Sequence, residues 1–196
     1  ILFLLLFACV ASLEASSPLK VEVSAKAAVL INAETGAVLH AKNAHQPMIP
    51  ASTTKVITAL YALEKKGYAL DEAVTATADA VATVQPHIRR AADGKHPPYR
   101  LEFGGTHIGI RVGETLSFRA LMYGLMLMSG NDAANVIAHY VSGSVAKFIE
   151  ELNSYVKAKG CLNTILYSPH GLPHSEHRTT AYDMALLTRE ALKIPF

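Results

Sequence analysis

Pro50-Ala51-Ser52-Thr53-Thr54-Lys55 runs directly into residues 56–63, an apolar segment with helical patterning, and this stretch constrains the chain more than any other. A Ser and a Lys three positions apart at the start of a helix lie one above the other on one face, so the amine reaches the hydroxyl. The first helical turn also aims free backbone N–H groups and the positive end of the helix dipole at the Ser side chain, which favours developing negative charge. Ser52 and Lys55 are thus a candidate nucleophile with a base beside it.

The 196 residues suffice for one domain, or one domain and part of another, and a hydrophobic content of 51% supplies a core. A formal charge of +2, with Lys and Arg scattered, leaves no footprint for nucleic acid and no polybasic patch for a membrane. Residues 1–11 are apolar and lead into Ser12, Ala15, Ser16, Ser17 and Pro18. Such a block is too short to span a membrane and fits the core and cleavage region of a secretory leader, partial here because it lacks an initiator Met and a positive start. Residues 1–15 are set apart from the fold on that ground, and the product is expected to be exported. Cys9 leaves with the leader, or is lipidated if residues 6–9 serve as a lipobox, against which the bulk of Phe7 counts. Cys161, the other cysteine, then has no disulfide partner and reads as a small buried apolar residue.

Residues 26–32 and 37–41 are β-type runs around Ala33-Glu34-Thr35-Gly36 and predict a hairpin with Gly36 at positive φ. The polar segment 42–49 delivers the chain to the Ser52 helix, which Gly67 should end. Residues 71–113 are broken by Pro86, Pro97, Pro98 and several glycines, and read as irregular with Thr75, Thr77, Val81, Thr83 and Val84 as strand pieces. Gly104-Gly105 is too weak a signal to argue phosphate binding. Ser117 is an N-cap for a helix over 118–128 that is apolar on most sides, as a buried helix is. A second helix over 132–141 follows Ser129-Gly130-Asn131, with Gly130 as the break. Ser144 caps a third, whose Val145, Phe148, Ile149, Leu152 and Val156 keep the helical period up to Gly160. Residues 164–167 suggest a short strand, and Thr180 with Asp183 forms a capping box for a last helix over 182–192.

A Ser-x-x-Lys pair by itself occurs on many solvated helix faces. Its weight changes with Ser129-Gly130-Asn131, placed at a helix break about eighty residues downstream. A Ser hydroxyl can relay a proton and an Asn amide both donates to and accepts from a peptide, so the two motifs complement each other for acyl transfer. With Tyr123-Gly124-Leu125, Asp132-Ala133-Ala134-Asn135, Pro169-His170-Gly171-Leu172 and Thr180-Ala181-Tyr182-Asp183-Met184-Ala185, they closely resemble the low-molecular-mass D-alanyl-D-alanine carboxypeptidases of the penicillin-binding protein family.

The resemblance covers nearly all of residues 27–192. It implies an α+β fold of the β-lactamase/transpeptidase type, an antiparallel sheet packed against a helical region, with residues 26–196 as the N-terminal portion of the catalytic domain. It implies that Ser52 is the nucleophile attacking the bond between the two terminal D-alanines of a peptidoglycan stem peptide. Lys55 would be the general base, Ser129 the proton shuttle to the leaving amine, and Asn131 the residue that holds the substrate amide. β-Lactams would acylate the same Ser52, and the chemistry needs no metal or organic cofactor. The implied location is the periplasm or the outer face of the cytoplasmic membrane. The family's third motif, Lys-Thr-Gly, lies on a strand that lines the site and helps lower the Lys pKa; it has no match here. Family spacing places that motif beyond Phe196. The resemblance therefore implies a chain truncated at both ends, lacking the C-terminal strands of its sheet and a C-terminal membrane-associating segment, and slow to acylate.

Three functions fit these residues. The first is a D,D-carboxypeptidase, or a D,D-endopeptidase using the same site on cross-linked peptides. The second is a β-lactamase, for which Glu176 is present in the right loop but in surroundings that do not match a deacylating Glu. The third is a non-catalytic wall-binding homologue, against which the intact Ser52, Lys55, Ser129 and Asn131 argue. His170, His174 and His177 form a loose H-x3-H-x2-H set without a Cys, so no metal site is expected, and His170 is read as fixing loop geometry. His87, His96 and His107 are read as surface residues and Arg178 as a solvated loop residue.

Overall fold

The computed structural model describes residues 21–91 and 96–195. Residues 1–15, expected to form a partial leader with Cys9, lie outside the described residues.

β1 (Ala28–Ile31) and β2 (Val38–Lys42) form the expected antiparallel hairpin, with Ala28 opposite Lys42 and Leu30 opposite His40 before the register slips at Ile31. Asn32 builds the turn: its side-chain oxygen accepts from the Glu34 and Thr35 N–H groups at 2.9 and 2.8 Å, and Gly36 closes it at φ 78°. A 3-10 turn (Ala51–Thr53) carries Ser52 into α1 (Thr54–Lys66), which stops at Gly67 in the left-handed conformation. The short elements β3 (Ala73–Thr75), α2 (Ala78–Val81), β4 (Thr83–Val84), α3 (Pro86–Arg90), β5 (Leu101–Glu102) and β6 (Thr115–Ser117) follow. β3 pairs with β6 antiparallel and β4 with β5 in parallel. The chain continues through α4 (Phe118–Leu127), α5 (Asn131–Ser142), α6 (Val145–Ala158) and α7 (Ala181–Ala191).

Local signals held where side chains act on their own backbone. Ser117 and Ser144 accept from the N–H groups of Ala120 and Lys147 and cap α4 and α6 as expected. Thr77 and Val81 are not strand residues: the Thr77 hydroxyl accepts from Ala80 N–H and starts α2, where capping outweighs β propensity. Residues 164–167 form no strand either. Ile165 makes one bridge, to Arg178, while the Leu166 N–H and carbonyl are taken by the Asn153 side chain at 2.9 and 2.8 Å. Thr180 caps α7, but Asp183 does not reach back to complete the box. Its carboxylate instead accepts from Asn163 N–H at 3.1 Å and the Thr164 hydroxyl at 2.8 Å, tying the loop after α6 to α7.

α1 is the central element, packed against α4, α5, α6 and α7. Ile57 and Leu60 are sealed against a core that includes Leu121, Ile137, Phe148 and Leu152. Each such side chain contributes roughly 1.5–3 kcal/mol by burial. Cys161 is fully buried there, and burial pushes its thiol up to about 12. The hairpin packs outside this core against α7, held by Arg189, which donates to the Ala33 and Glu34 carbonyls at 2.6 and 2.5 Å. Among the described residues no helix is long and apolar enough to cross a membrane.

Candidate active site

Ser52 is exposed on the 3-10 turn, one turn ahead of α1 proper, and the backbone just before it is unusual, with Ala51 at φ 49°. Lys55, in contrast, is only 2% exposed. Its ammonium donates to Ser52 Oγ at 3.1 Å, to Asn131 Oδ1 at 2.8 Å and to the His170 carbonyl at 3.0 Å. Burial lowers its pKa from the ordinary value to about 8, against the opposing pull of the Asp132 carboxylate. A neutral amine keeps two N–H groups and one lone pair. With the Asn131 and His170 oxygens as fixed acceptors for the two N–H groups, the lone pair is left for the Ser52 hydroxyl.

Asn131 is the first residue of α5, and the break that places it is built by two glycines. Gly130 N–H bonds to the Gly124 carbonyl at 2.9 Å, and a Cβ at Gly124 would stand 2.6 Å from the Ile108 side chain. Asp132 fastens the segment before β6 onto this break. Its buried carboxylate accepts the N–H groups of Ile108, Gly109 and Ile110 at 3.0, 2.9 and 3.0 Å, together with that of Ala133. Asn131 N–H adds a bond to the Thr106 carbonyl at 2.9 Å. His107 belongs to this fastening and is not a free surface residue: Nε2 lies 3.0 Å from the Glu102 carbonyl and Nδ1 lies 4.0 Å from Asp132.

The third wall is the loop between α6 and α7. The Thr58 hydroxyl donates to the Pro169 carbonyl at 2.7 Å, and the backbone of Gly171 presses on the nucleophile turn so closely that a Cβ there would stand 1.8 Å from the Ala51 carbonyl. His170 is buried between Tyr99 and its own loop, with Nε2 3.1 Å from the Tyr99 carbonyl and Nδ1 accepting from Leu172 N–H. Those bonds require the neutral Nε2–H tautomer, and burial lowers the pKa of the ring to about 3. The expected role of His170 in fixing the loop thus has a consequence for the chemistry: it aims a carbonyl at Lys55. His174 stacks on Tyr167 with ring centroids 4.0 Å apart. Among the described residues no three His, Cys, Asp or Glu side chains are grouped to hold a metal ion.

The family profile for D-alanyl-D-alanine carboxypeptidase, peptidase S11, matches residues 12–195. The chain belongs to this family. It is 35% identical over 169 residues to the D-alanyl-D-alanine carboxypeptidase DacF of Bacillus subtilis, covering 86% of this chain and 39% of that protein. It is likewise 35% identical over 188 residues to DacC of Escherichia coli, covering 94% and 44%. Among solved structures, penicillin binding protein 6B of Escherichia coli superposes with a TM-score of 0.76 at 31% identity, over 91% of this chain and 53% of that one. The chain thus spans about two-fifths of the length of these curated relatives. Its fold is the α+β architecture of the penicillin-binding D,D-peptidases, as the resemblance implied.

In this D-alanyl-D-alanine carboxypeptidase relative, Ser52, Lys55 and Asn131 are brought into one hydrogen-bonded cluster. Ser129 is not: it sits partly buried at φ 55° next to the cluster in sequence, and no hydrogen bond joins its hydroxyl to Ser52 or Lys55. Sequence reasoning assigned no role to Thr54, Thr58, Asp132 or Gly171. The available signals were hydroxyls four apart inside an apolar helix and a carboxylate on an otherwise buried one, both of which ask for a partner.

Proposed function

We propose that this chain carries the acylation centre of a serine D,D-carboxypeptidase, with residues 26–196 as the N-terminal portion of the catalytic domain. The carrying observation is an exposed Ser52 hydroxyl within 3.1 Å of a buried lysine whose two other contacts are both acceptors. Lys55 takes the Ser52 proton as Oγ attacks the carbonyl of the penultimate D-alanine in a peptidoglycan stem peptide. The proton returns to the leaving D-alanine amine, relayed by Ser129, and water hydrolyses the resulting ester to regenerate Ser52. Asn131 presents its amide to the peptide while its oxygen holds Lys55. A β-lactam opens on the same Ser52 and stays attached as an ester. The substrate places the protein outside the cytoplasm, in keeping with the leader-like residues 1–15; association with the membrane surface would require a segment such as the resemblance implies beyond Phe196.

Glu176 supports the peptidase over a β-lactamase, since it is exposed and paired with Arg178 at 3.2 Å. The test has two arms on the full chain. Prolonged incubation with benzylpenicillin is followed by intact mass and peptide mapping, with a slowly formed adduct of the whole drug on Ser52 expected. Turnover of a D-Ala-D-Ala peptide is compared with penicillin hydrolysis, with D-alanine release expected to exceed it. Rapid penicillin hydrolysis without D-alanine release would replace the reading by a β-lactamase, and neither adduct nor release would leave a non-catalytic homologue.

A further inference from the structure

His177 is 1% exposed, its Nε2 lies 3.3 Å from the Thr54 hydroxyl, and its buried Nδ1 has no hydrogen-bond partner among the described residues. A buried polar atom without a partner costs stability, and an apolar side chain of similar size would avoid that cost. Such costs persist where the group has a use. The use is visible in what Thr54 touches. It is the first residue of α1, fully buried, directly before Lys55, and a Cβ at Gly171 would stand 2.8 Å from its hydroxyl.

Successive residues of a helix are turned by about 100°. Thr54 and Thr58 therefore share one side of α1, on which they bond His177 and the Pro169 carbonyl. Ser52 and Lys55 share the neighbouring side. The two threonines fix the rotation of α1 about its axis against the loop that also supplies the His170 carbonyl. A small rotation would carry Lys55 away from Asn131 Oδ1 and the His170 carbonyl together, because both acceptors belong to other elements. Thr58 is one hydrogen-bonded tie of α1 to that loop, and His177 is the second, placed at the first turn beside Lys55.

We propose that His177 is a positioning residue for Lys55, acting through the Thr54 hydroxyl to hold the first turn of α1 so that the amine stays on its buried acceptors. This rests on the reading of Lys55 as the base, but it is tested without acylation. Titratable and cationic groups near His177 are His170, His174 and Arg89, and near Lys55 Asp132 and His170.

The experiment is trace acetylation of the full chain with acetic anhydride across pH, with Lys55 reactivity read by peptide mass spectrometry. Wild-type Lys55 should titrate well below the ordinary lysine value. His177→Leu should move its midpoint up by about one pH unit or more, toward the ordinary lysine value. His177→Gln, which can still bond Thr54, should restore it. If His177→Leu does not fold, Thr54→Val removes the same bond at nearly constant volume and should give the same shift. A folded His177→Leu or Thr54→Val with the Lys55 midpoint unmoved overturns the proposal and leaves His177 as packing. So does a His177→Gln variant that shifts as far as His177→Leu. A low Lys55 midpoint that responds in this way, in a chain that never labels Ser52, would sink the peptidase reading and leave the positioning intact.

Discussion

No residue of the β1–β2 hairpin is buried, whereas ten of the twelve residues of α5 are. Both regions are rich in apolar side chains. Leu30, Val38 and Leu39 are 49%, 49% and 53% exposed, while Ile137 and the Phe148 that packs in the same core are fully enclosed. The helices surround α1 on several sides and close on one another. Among the described residues the main neighbour of the two strands is α7, and a sheet face closes only when another layer covers it. The site follows the same division: Lys55, Asn131 and the His170 carbonyl all belong to the closed part. Geometry accurate enough for proton transfer needs packed surroundings on every side.

Substitutions should sort along this divide, and the largest effect is at the site. Ser52→Ala should abolish the penicillin adduct entirely while the circular dichroism spectrum stays native; an adduct that persists elsewhere would detach the chemistry from the helical part. Gly171→Ala comes next. Its Cβ would collide with the Ala51 carbonyl at a residue held at φ 84°, so a loss of more than about 4 kcal/mol, seen as a collapse of the urea midpoint, is expected. Phe148→Ala should cost about 3–5 kcal/mol in the same measurement by opening a cavity in the closed core.

The pH dependence is smaller per unit. Only neutral Lys55 can take the Ser52 proton, so the labelling rate should rise about tenfold per pH unit and level off near pH 8. A rise that continues to about 10.4, the value of a free lysine, would show the amine to be solvated. The folded pKa is below the unfolded one, so between these values the unfolded chain binds the extra proton. The Lys55 contribution to stability therefore increases with rising pH through that window. Leu39→Ala, on the open hairpin, should change stability by no more than about 0.5 kcal/mol. A loss as large as that of Phe148→Ala would show that the hairpin is closed in solution and would break the comparison.

The parts of the fold legible in the sequence are those in which a residue acts on its own neighbourhood. Gly36 announced the hairpin turn, Ser117 and Ser144 their helices, and Gly67 the end of α1, because each satisfies or ends a backbone pattern within a few residues. Thr77 was misread because its hydroxyl and its β-branched shape favour different states, and the choice fell to the hydroxyl. Asp183 looked like the partner of Thr180 and serves Asn163 and Thr164 instead, an allocation that depends on where the loop after α6 arrives. Asp132 was passed over for the same reason: its four N–H donors include three from residues more than twenty positions earlier.

The chain by itself determined that Ser52 and Lys55 share a helical face, since a spacing of three and a helix start are local facts. It also carried enough matched motifs to place the chain in its family. Tertiary structure alone decided that Lys55 is buried and that Asn131 and the His170 carbonyl accept its N–H groups from 76 and 115 residues away. Desolvation and hydrogen-bond direction are set by groups that meet only when the chain crosses itself, and no local spacing encodes where those crossings fall.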